Sequence, residues 1–421
     1  MSSIVARTLL ASLLVTLCRF SNADCLNGTS SNPIDGLGIG VHFKAGASEQ
    51  LRSIKKLGFR IVRVDLTWNT IEKVKGQYDW TEYDKFLAEI DDNSLRPLLV
   101  LGYSNAAYSA FDASAGTVAS PATEQARLAF GRWAFEAAQR YGHLNPIWEI
   151  WNEPNHPRFW LPKPSSDDYV KLADHTISQI RRAHSRATII GPALAGIDSV
   201  FLRYSLQLVS LDFDYLSLHP YRAADQVPES LLSDINKLIS SFTKSELVSF
   251  RVRERLAYSE WGFSTYTKGA SFKTQADYVE RTMLLNIMEA IPINIMYTWR
   301  DGINPELKES NFGIVSHDLK MKESYFGIET LVSELDNRGT LCPITNLQPG
   351  LFGFWFHPIG SPTKLVLWNS IDAKVAHFFL DQNCRVIRIR RRNTEDIELP
   401  CNSNGSHILI DSTPTYITIE V

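Results

Sequence analysis

Short apolar runs alternate with amphipathic stripes through the first three quarters of the chain. Leu51, Ile54 and Leu57 recur at helical spacing with Lys55 and Lys56 on the other side, and Gly58 stops the pattern. Phe130, Trp133, Ala134, Ala137, Ala138 and Tyr141 form a longer stripe, which reads as a core face and not as a ligand site. Further helices are predicted over residues 81–91, 169–183, 276–290 and 322–335. Strands are predicted over residues 39–43, 60–66, 96–102, 187–191, 213–219, 255–260 and 293–299, with one more from Ile147 to the halt at Pro154. Eight uninterrupted strand–helix alternations predict an α/β fold, a (β/α)8 TIM barrel. From about Leu341 the period drops to two. Runs at 353–357, 364–369, 374–380, 385–390, 407–410 and 415–421 then predict a small C-terminal antiparallel β-sandwich. The expected division is a leader at 1–23, a barrel at 24–340 and a sandwich at 341–421.

In a parallel barrel the carboxyl ends of the strands form the reacting face, so ionisable residues there are candidates for chemistry. The stretch I-W-E-I-W-N-E-P-N, Ile147 to Asn155, ends a strand on Glu153 with Asn152 beside it. A lone strand-end glutamate more often caps the next helix. A second apolar run, L-A-Y-S-E-W-G at Leu256 to Gly262, also ends on a carboxylate, Glu260, and the interval leaves room for three βα units. Both glutamates are then expected at one mouth. Gly36, Gly38 and Gly40 lead into a strand without the spacing of a phosphate loop.

W-N-E-P-N (Trp151 to Asn155) with S-E-W-G (Ser259 to Gly262) resembles the catalytic pair of the clan A retaining glycoside hydrolases. G-F-R-I-V-R-V-D-L-T-W (Gly58 to Trp68), S-L-H-P-Y-R (Ser217 to Arg222) and Y-T-W-R-D-G (Tyr297 to Gly302) narrow the likeness to glycoside hydrolase family 39. Secreted bacterial members that cut exopolysaccharide are the most similar in these motifs, and the likeness runs from about Gly38 to the last barrel helix. The resemblance implies a retaining hydrolase of polysaccharide or oligosaccharide, with Glu153 as general acid/base and Glu260 as nucleophile. It also implies that Asn152 meets the sugar 2-hydroxyl and that Trp299 forms a floor. An acid must hold its proton while a nucleophile must stay ionised, and Arg63 with the Tyr221 hydroxyl could secure the second condition. His219 and His42 are expected to line the pocket, although a single histidine is as readily a satisfied core residue. Phe159 and Trp160, on the proline-stiffened segment His156 to Pro164, suit stacking on a sugar face.

The continuation E-W-G-F after Ser259 departs from the Phe-Asn of the family's xylosidases, so xylosidase activity does not carry over. The loop aromatics favour internal cleavage of a polysaccharide. Exo action as a β-glycosidase and a non-catalytic carbohydrate-binding protein on an inactive barrel are the competing readings; a binder has no need for two close carboxylates.

Composition adds compartment and exclusions. With 44% hydrophobic and 21% charged residues the chain is ordinarily globular, and a net charge of −3 gives no electrostatic case for nucleic acid. Arg388, Arg390, Arg391 and Arg392 on a strand read as a solvated face. No cofactor motif and no zinc-type spacing occurs, so neither cofactor nor metal is expected. Arg7 precedes an apolar stretch from Leu9 to Leu17, too short to span a bilayer, with Ser21-Asn22-Ala23 as a cleavage region. Secretion is the expectation, a retained anchor its alternative. Loss of the leader removes Cys18 and leaves Cys25, Cys342, Cys384 and Cys401, which allow three connectivities. Cys384 with Cys401 and Cys25 with Cys342 is favoured, and sequons at Asn27 and Asn404 fit the same route.

Overall fold

In the computed structural model, which describes residues 13–14, 25, 31–109, 117–208, 212–370, 374–378, 386–400 and 406–420, eight parallel strands close into a barrel. They are β1 (Leu37–Gly40), β2 (Ile61–Thr67), β3 (Arg96–Gly102), β4 (Ile147–Ile150), β5 (Thr188–Ala195), β6 (Tyr215–His219), β7 (Leu256–Trp261) and β8 (Asn294–Met296). Every strand pairs in parallel with its sequence neighbour, and β8 closes on β1 through Leu37, Gly38 and Ile39. The glycine run belongs to this closing strand. A Cβ on Gly38 would lie 2.3 Å from the Ile295 side chain and 2.8 Å from Ile61, so only glycine admits the neighbours on both sides.

The barrel interior is filled by Ile61, Leu98, Val100, Ile147, Ile190, Ala257, Ile293 and Ile295, all buried. Each large aliphatic among them contributes about 1.5–3 kcal/mol by leaving water, which makes the interior a packed core and not a pore. Helices α1 (Ser48–Lys56), α2 (Thr81–Asp92), α3 (Glu124–Tyr141), α4 (Ser166–Ala183), α5 (Ser199–Leu208), α6 (Ser230–Ser240), α7 (Lys244–Phe250), α8 (Phe272–Met288) and α9 (Glu323–Leu335) alternate with the strands. Their starts follow local chemistry: Thr123, Ser165 and Ser271 each accept a backbone N–H of the first turn of α3, α4 and α8. The stripe from Phe130 to Tyr141 is buried, as its spacing predicts.

Residues 34–332 form one compact unit; residues 1–33 with 333–421 form the other. The second holds β9 (Gly339–Pro343), β10 (Leu351–Pro358), β11 (Thr363–Asn369), β12 (Lys374–Phe378), β13 (Val386–Arg390), β14 (Ile397–Pro400), β15 (Ser406–Ile410) and β16 (Thr415–Glu420). Six of these pair in the order β9-β10-β11-β16-β13-β14, and a second sheet joins Leu13–Leu14, β12 and β15. Leu351, Leu365, Leu367, Ile387, Ile389 and Ile417 from the larger sheet bury against Ile408 and Ile410 from the smaller, which is a sandwich core. Cys25 and Cys342 are joined by a disulfide in this unit. The other pair, Cys384 with Cys401, both sequons, and all of the leader except Leu13 and Leu14 lie outside the described residues. Among the described residues no helix is long and apolar enough to cross a membrane.

Candidate active site

Strand alternation sets the first pair of side chains. Arg63 and Asp65 stand two residues apart on β2 and face the same way, as do neighbours at that spacing on any strand. Arg63 is buried and its guanidinium reaches three groups. Nε donates to Glu149 Oε2 at 2.9 Å, Nη1 to Glu260 Oε2 at 2.5 Å and Nη2 to Asn152 Oδ1 at 2.9 Å. Three fixed directions from one planar group are something a lysine cannot supply.

β4 ends at Ile150, and the chain then turns sharply. Trp151 (φ 68°) and Glu153 (φ 49°) both occupy the left-handed region, at a cost of roughly 1–3 kcal/mol each for a residue with a Cβ. Trp151 N donates to Leu101 O at 3.0 Å and its indole to Phe159 O at 3.0 Å. Glu153 N donates to Ala193 O at 2.9 Å, and Asn155 binds both the N–H and the C=O of Ala195. These bonds hold a strained turn in place, and the turn aims the Glu153 carboxyl into the mouth. Glu260, near the end of β7, faces it from across the barrel.

The two carboxylates are 14% and 15% exposed, sheltered yet open to a ligand. One oxygen of each, with a ring nitrogen of His219, all lie within 4.8 Å of one another. That separation leaves no space for a water between the carboxylates and suits direct attack by one of them. The same trio could ligate a divalent cation, which would then compete with a sugar for both carboxylates.

Electrostatics distinguish the groups. Burial works against an ionised Glu260, but Arg63, His219, the 2.6 Å hydrogen bond from the Tyr221 hydroxyl and His42 outweigh it, and its pKa falls below the ordinary value. Burial also opposes charge on Arg63, yet Glu149, Glu260 and Asp65 hold its pKa well above normal. His219 is fully buried with Nδ1 2.9 Å from Glu153 Oε1, and despite burial Glu260 and Glu153 raise its pKa. Asp65 goes the other way, raised chiefly by burial against the pull of Arg63 and His42.

The cleft over these groups has a volume of about 520 Å³, and Arg63, Asn152, Glu153, His219, Tyr221, Glu260 and His42 all line it. Trp160 and Trp299 do not. Trp160 is 1% exposed, its ring edge-on to Trp151 at 5.3 Å and to Tyr169 at 6.0 Å, so it packs beneath the loop and cannot stack on a sugar. Trp299 is 3% exposed and turns away, donating its indole N–H to Gln50 Oε1 at 3.1 Å. Two residues earlier, Tyr297 takes the position expected for it, edge-on to His42 at 5.1 Å. Phe159 and Tyr103 line the opposite wall, stacked at 6.2 Å.

Four lining or supporting residues carried no role in the sequence reading. Asp65 was signalled by its two-residue spacing from Arg63, and Glu149 by being a carboxylate inside an apolar strand. Tyr297 opens the Y-T-W-R-D-G motif and Tyr103 the long loop after β3, but neither side chain is singled out by its position in the sequence.

The sequence profile of glycosyl hydrolases family 39 matches residues 37–257, more than half of the chain. No curated protein sequence matches significantly. Among solved structures the chain is similar to a family 39 glycoside hydrolase from the gut symbiont Bacteroides cellulosilyticus WH2, with TM-score 0.74 and 21% identity over 93% of this chain and 82% of that one. A family 39 β-xylosidase from Caulobacter crescentus follows at TM-score 0.66 and 19% identity, over 94% of this chain and 98% of that one. A family 30 endoxylanase from Clostridium papyrosolvens C71 shares the fold at TM-score 0.64 and 9% identity, over 94% and 98%.

Proposed function

The chain belongs to glycosyl hydrolases family 39 and is a retaining O-glycosyl hydrolase, and from that premise we propose that Glu153 is its general acid/base and Glu260 its nucleophile. The observation that carries this assignment is the approach of the two carboxylates to within 4.8 Å. Glu260, kept ionised by Arg63 and Tyr221, attacks the anomeric carbon as the bond to the leaving oxygen breaks, and Glu153 gives its proton to that oxygen. Glu153, now a carboxylate, takes a proton from water. The water oxygen then attacks the same carbon and expels Glu260, and two inversions restore the starting configuration. Asn152 has its amide oxygen committed to Arg63, which leaves the NH2 to donate to a sugar 2-hydroxyl. His219 holds the Glu153 carboxyl in position from beneath.

The substrate in this reading is a polysaccharide or a long oligosaccharide cut at an internal bond. Phe159, Tyr103, Tyr297 and Phe312 give the cleft the flat apolar surfaces that sugar rings need, between polar groups that fix their hydroxyls. The protein is exported in the same reading: the apolar leader with its small-residue cleavage region and the Cys25–Cys342 disulfide both support that route. Substitution of the acid tests the roles. Glu153→Gln should slow glycosides with poor leaving groups by about 100-fold or more while activated aryl glycosides keep a near-normal glycosylation rate, because only the former need a proton. Equal losses on both substrates would remove Glu153 from the role.

A further inference from the structure

The catalytic cleft does not end at its own walls. A second cavity of about 160 Å³ shares Val41, His42, Val64 and Asp65 with it and extends outward past β1 and β2 to α2. A third, of about 340 Å³, shares Gly196 and Tyr221 and extends past β5 and β6 to α6. In a closed barrel of eight strands in sequence order, the β1–β2 edge and the β5–β6 edge are diametrically opposite. The line joining them leaves β4 with Glu153 on one bank and β7 with Glu260 on the other. A linear chain laid along that line passes between the two carboxylates.

Both outer cavities carry the chemistry of a sugar subsite. At the first, the exposed Lys44–Glu82 ion pair (2.8 Å) and the Asp65 carboxylate offer hydroxyl partners, and Phe43, set edge-on to Phe86 at 5.9 Å, offers an apolar face. At the other, Arg222, 11% exposed, lies 2.9 Å from Asp234 through Nη2, and Asp234 with Lys237 offers hydroxyl partners beside the Tyr221 ring. Direction follows from the acid. The backbone N–H of Glu153 is tied to Ala193 of β5 and its carboxyl to His219 of β6, so the oxygen it protonates faces the β5–β6 edge.

We propose that a polysaccharide crosses the barrel mouth from β1–β2 to β5–β6, with the sugars before the scissile bond in the Lys44–Glu82 cavity and the leaving segment in the Arg222 cavity. This rests on the assignment of Glu153 and Glu260 and adds the course of the chain and its minimum length. Binding energy from the remote sugar then raises kcat/KM.

The test uses 4-nitrophenyl β-glycosides of glucose, galactose, mannose and xylose, those of the corresponding β-linked disaccharides, and unlabelled tetra- to hexasaccharides. The wild-type enzyme should hydrolyse the disaccharide glycoside of its preferred sugar at least about tenfold better in kcat/KM than the monosaccharide glycoside, equivalent to roughly 1.4 kcal/mol. It should release oligosaccharides, not single sugars, from the longer chains. The double variant Lys44→Ala/Glu82→Ala should lose most of the gain and keep the wild-type rate on the monosaccharide glycoside; rescue of that gain by Lys44→Arg separates contact from mere integrity. Hydrolysis with no gain on extension, or stepwise release of single sugars, overturns the inference and leaves the catalytic assignment standing. Failure to cleave any glycoside or oligosaccharide overturns the assignment and the inference with it.

Discussion

Arg63→Met removes a cation that bonds Glu149 and Glu260 together. Glu149 is fully buried, its Oε1 has no hydrogen-bond partner among the described residues, and Arg63 Nε is the donor to Oε2 at 2.9 Å. At an effective dielectric of 20 that pair attracts by roughly 6 kcal/mol. Stripping one partner from a buried pair has a net cost of about 3–5 kcal/mol, because the remaining charge is left without water or counter-charge. The double variant Arg63→Met/Glu149→Met removes both charges and fills the space with side chains of similar volume, so it should recover most of the lost stability. Activity should not recover. Glu260 loses the Nη1 hydrogen bond and Asn152 the Nη2 contact that orients its amide, so single and double variants should both fall by about 100-fold or more in kcat/KM. Urea unfolding of the three proteins, followed alongside hydrolysis of an aryl glycoside, reads both effects. A single variant within about 1 kcal/mol of wild type, or a double variant as unstable as the single, would refute the view of Arg63 as the tie across a buried charge cluster.

Tyr221→Phe should move the acid limb of the kcat/KM profile to higher pH. The Tyr221 hydroxyl is among the groups that hold Glu260 below its ordinary pKa, so its removal lets the nucleophile protonate sooner as pH falls. By linkage, a depressed carboxylate adds stability that is present above its unfolded pKa and lost as pH falls through the folded value, so the variant should show less of that acid-side loss. An unmoved or lowered limb would count against the hydroxyl's role. Native, unreduced protein should keep Cys25 and Cys342 protected from iodoacetamide until a reductant is added; prompt alkylation of both would contradict the disulfide.

The sequence carries the barrel clearly because its signals are local: strand ends marked by proline and glycine, helix stripes, and side-chain oxygens at helix starts. It also carries the positions of Glu153, Glu260, Arg63, Asn152, Tyr221, His219 and His42, since strand-end residues of a parallel barrel share one face. The two tryptophans fail for a different reason. Whether an aromatic on a loop stacks on a ligand or on the protein depends on what lies beneath the loop, and Trp151 and Tyr169 come from β4's end and α4. Trp299 fails because β8 ends at Met296, so strand alternation no longer fixes its direction: Tyr297 faces the mouth and Trp299 packs against Tyr325. Boundaries slip where the backbone departs from ideal geometry. The predicted strand at 187–191 continues to Ala195, with a register shift between Gly191 and Leu194 and Ala193 at φ 53°, and it is Ala193 that receives the Glu153 N–H. Glu149 is the most instructive omission. A carboxylate buried in an apolar strand demands a cation, and Arg63 was already in view.

The central claim is that Glu260 becomes covalently bonded to the sugar, and one measurement addresses it directly. The enzyme is incubated with a 2-deoxy-2-fluoro glycoside bearing a good leaving group, which slows breakdown of the intermediate more than its formation, and is then digested with trypsin for mass spectrometry. The account predicts a fluorosugar adduct on the peptide from Leu256 to Lys268, located by fragmentation at Glu260, together with loss of activity that returns on turnover. An adduct on Glu153, Asp65 or any other residue would contradict it.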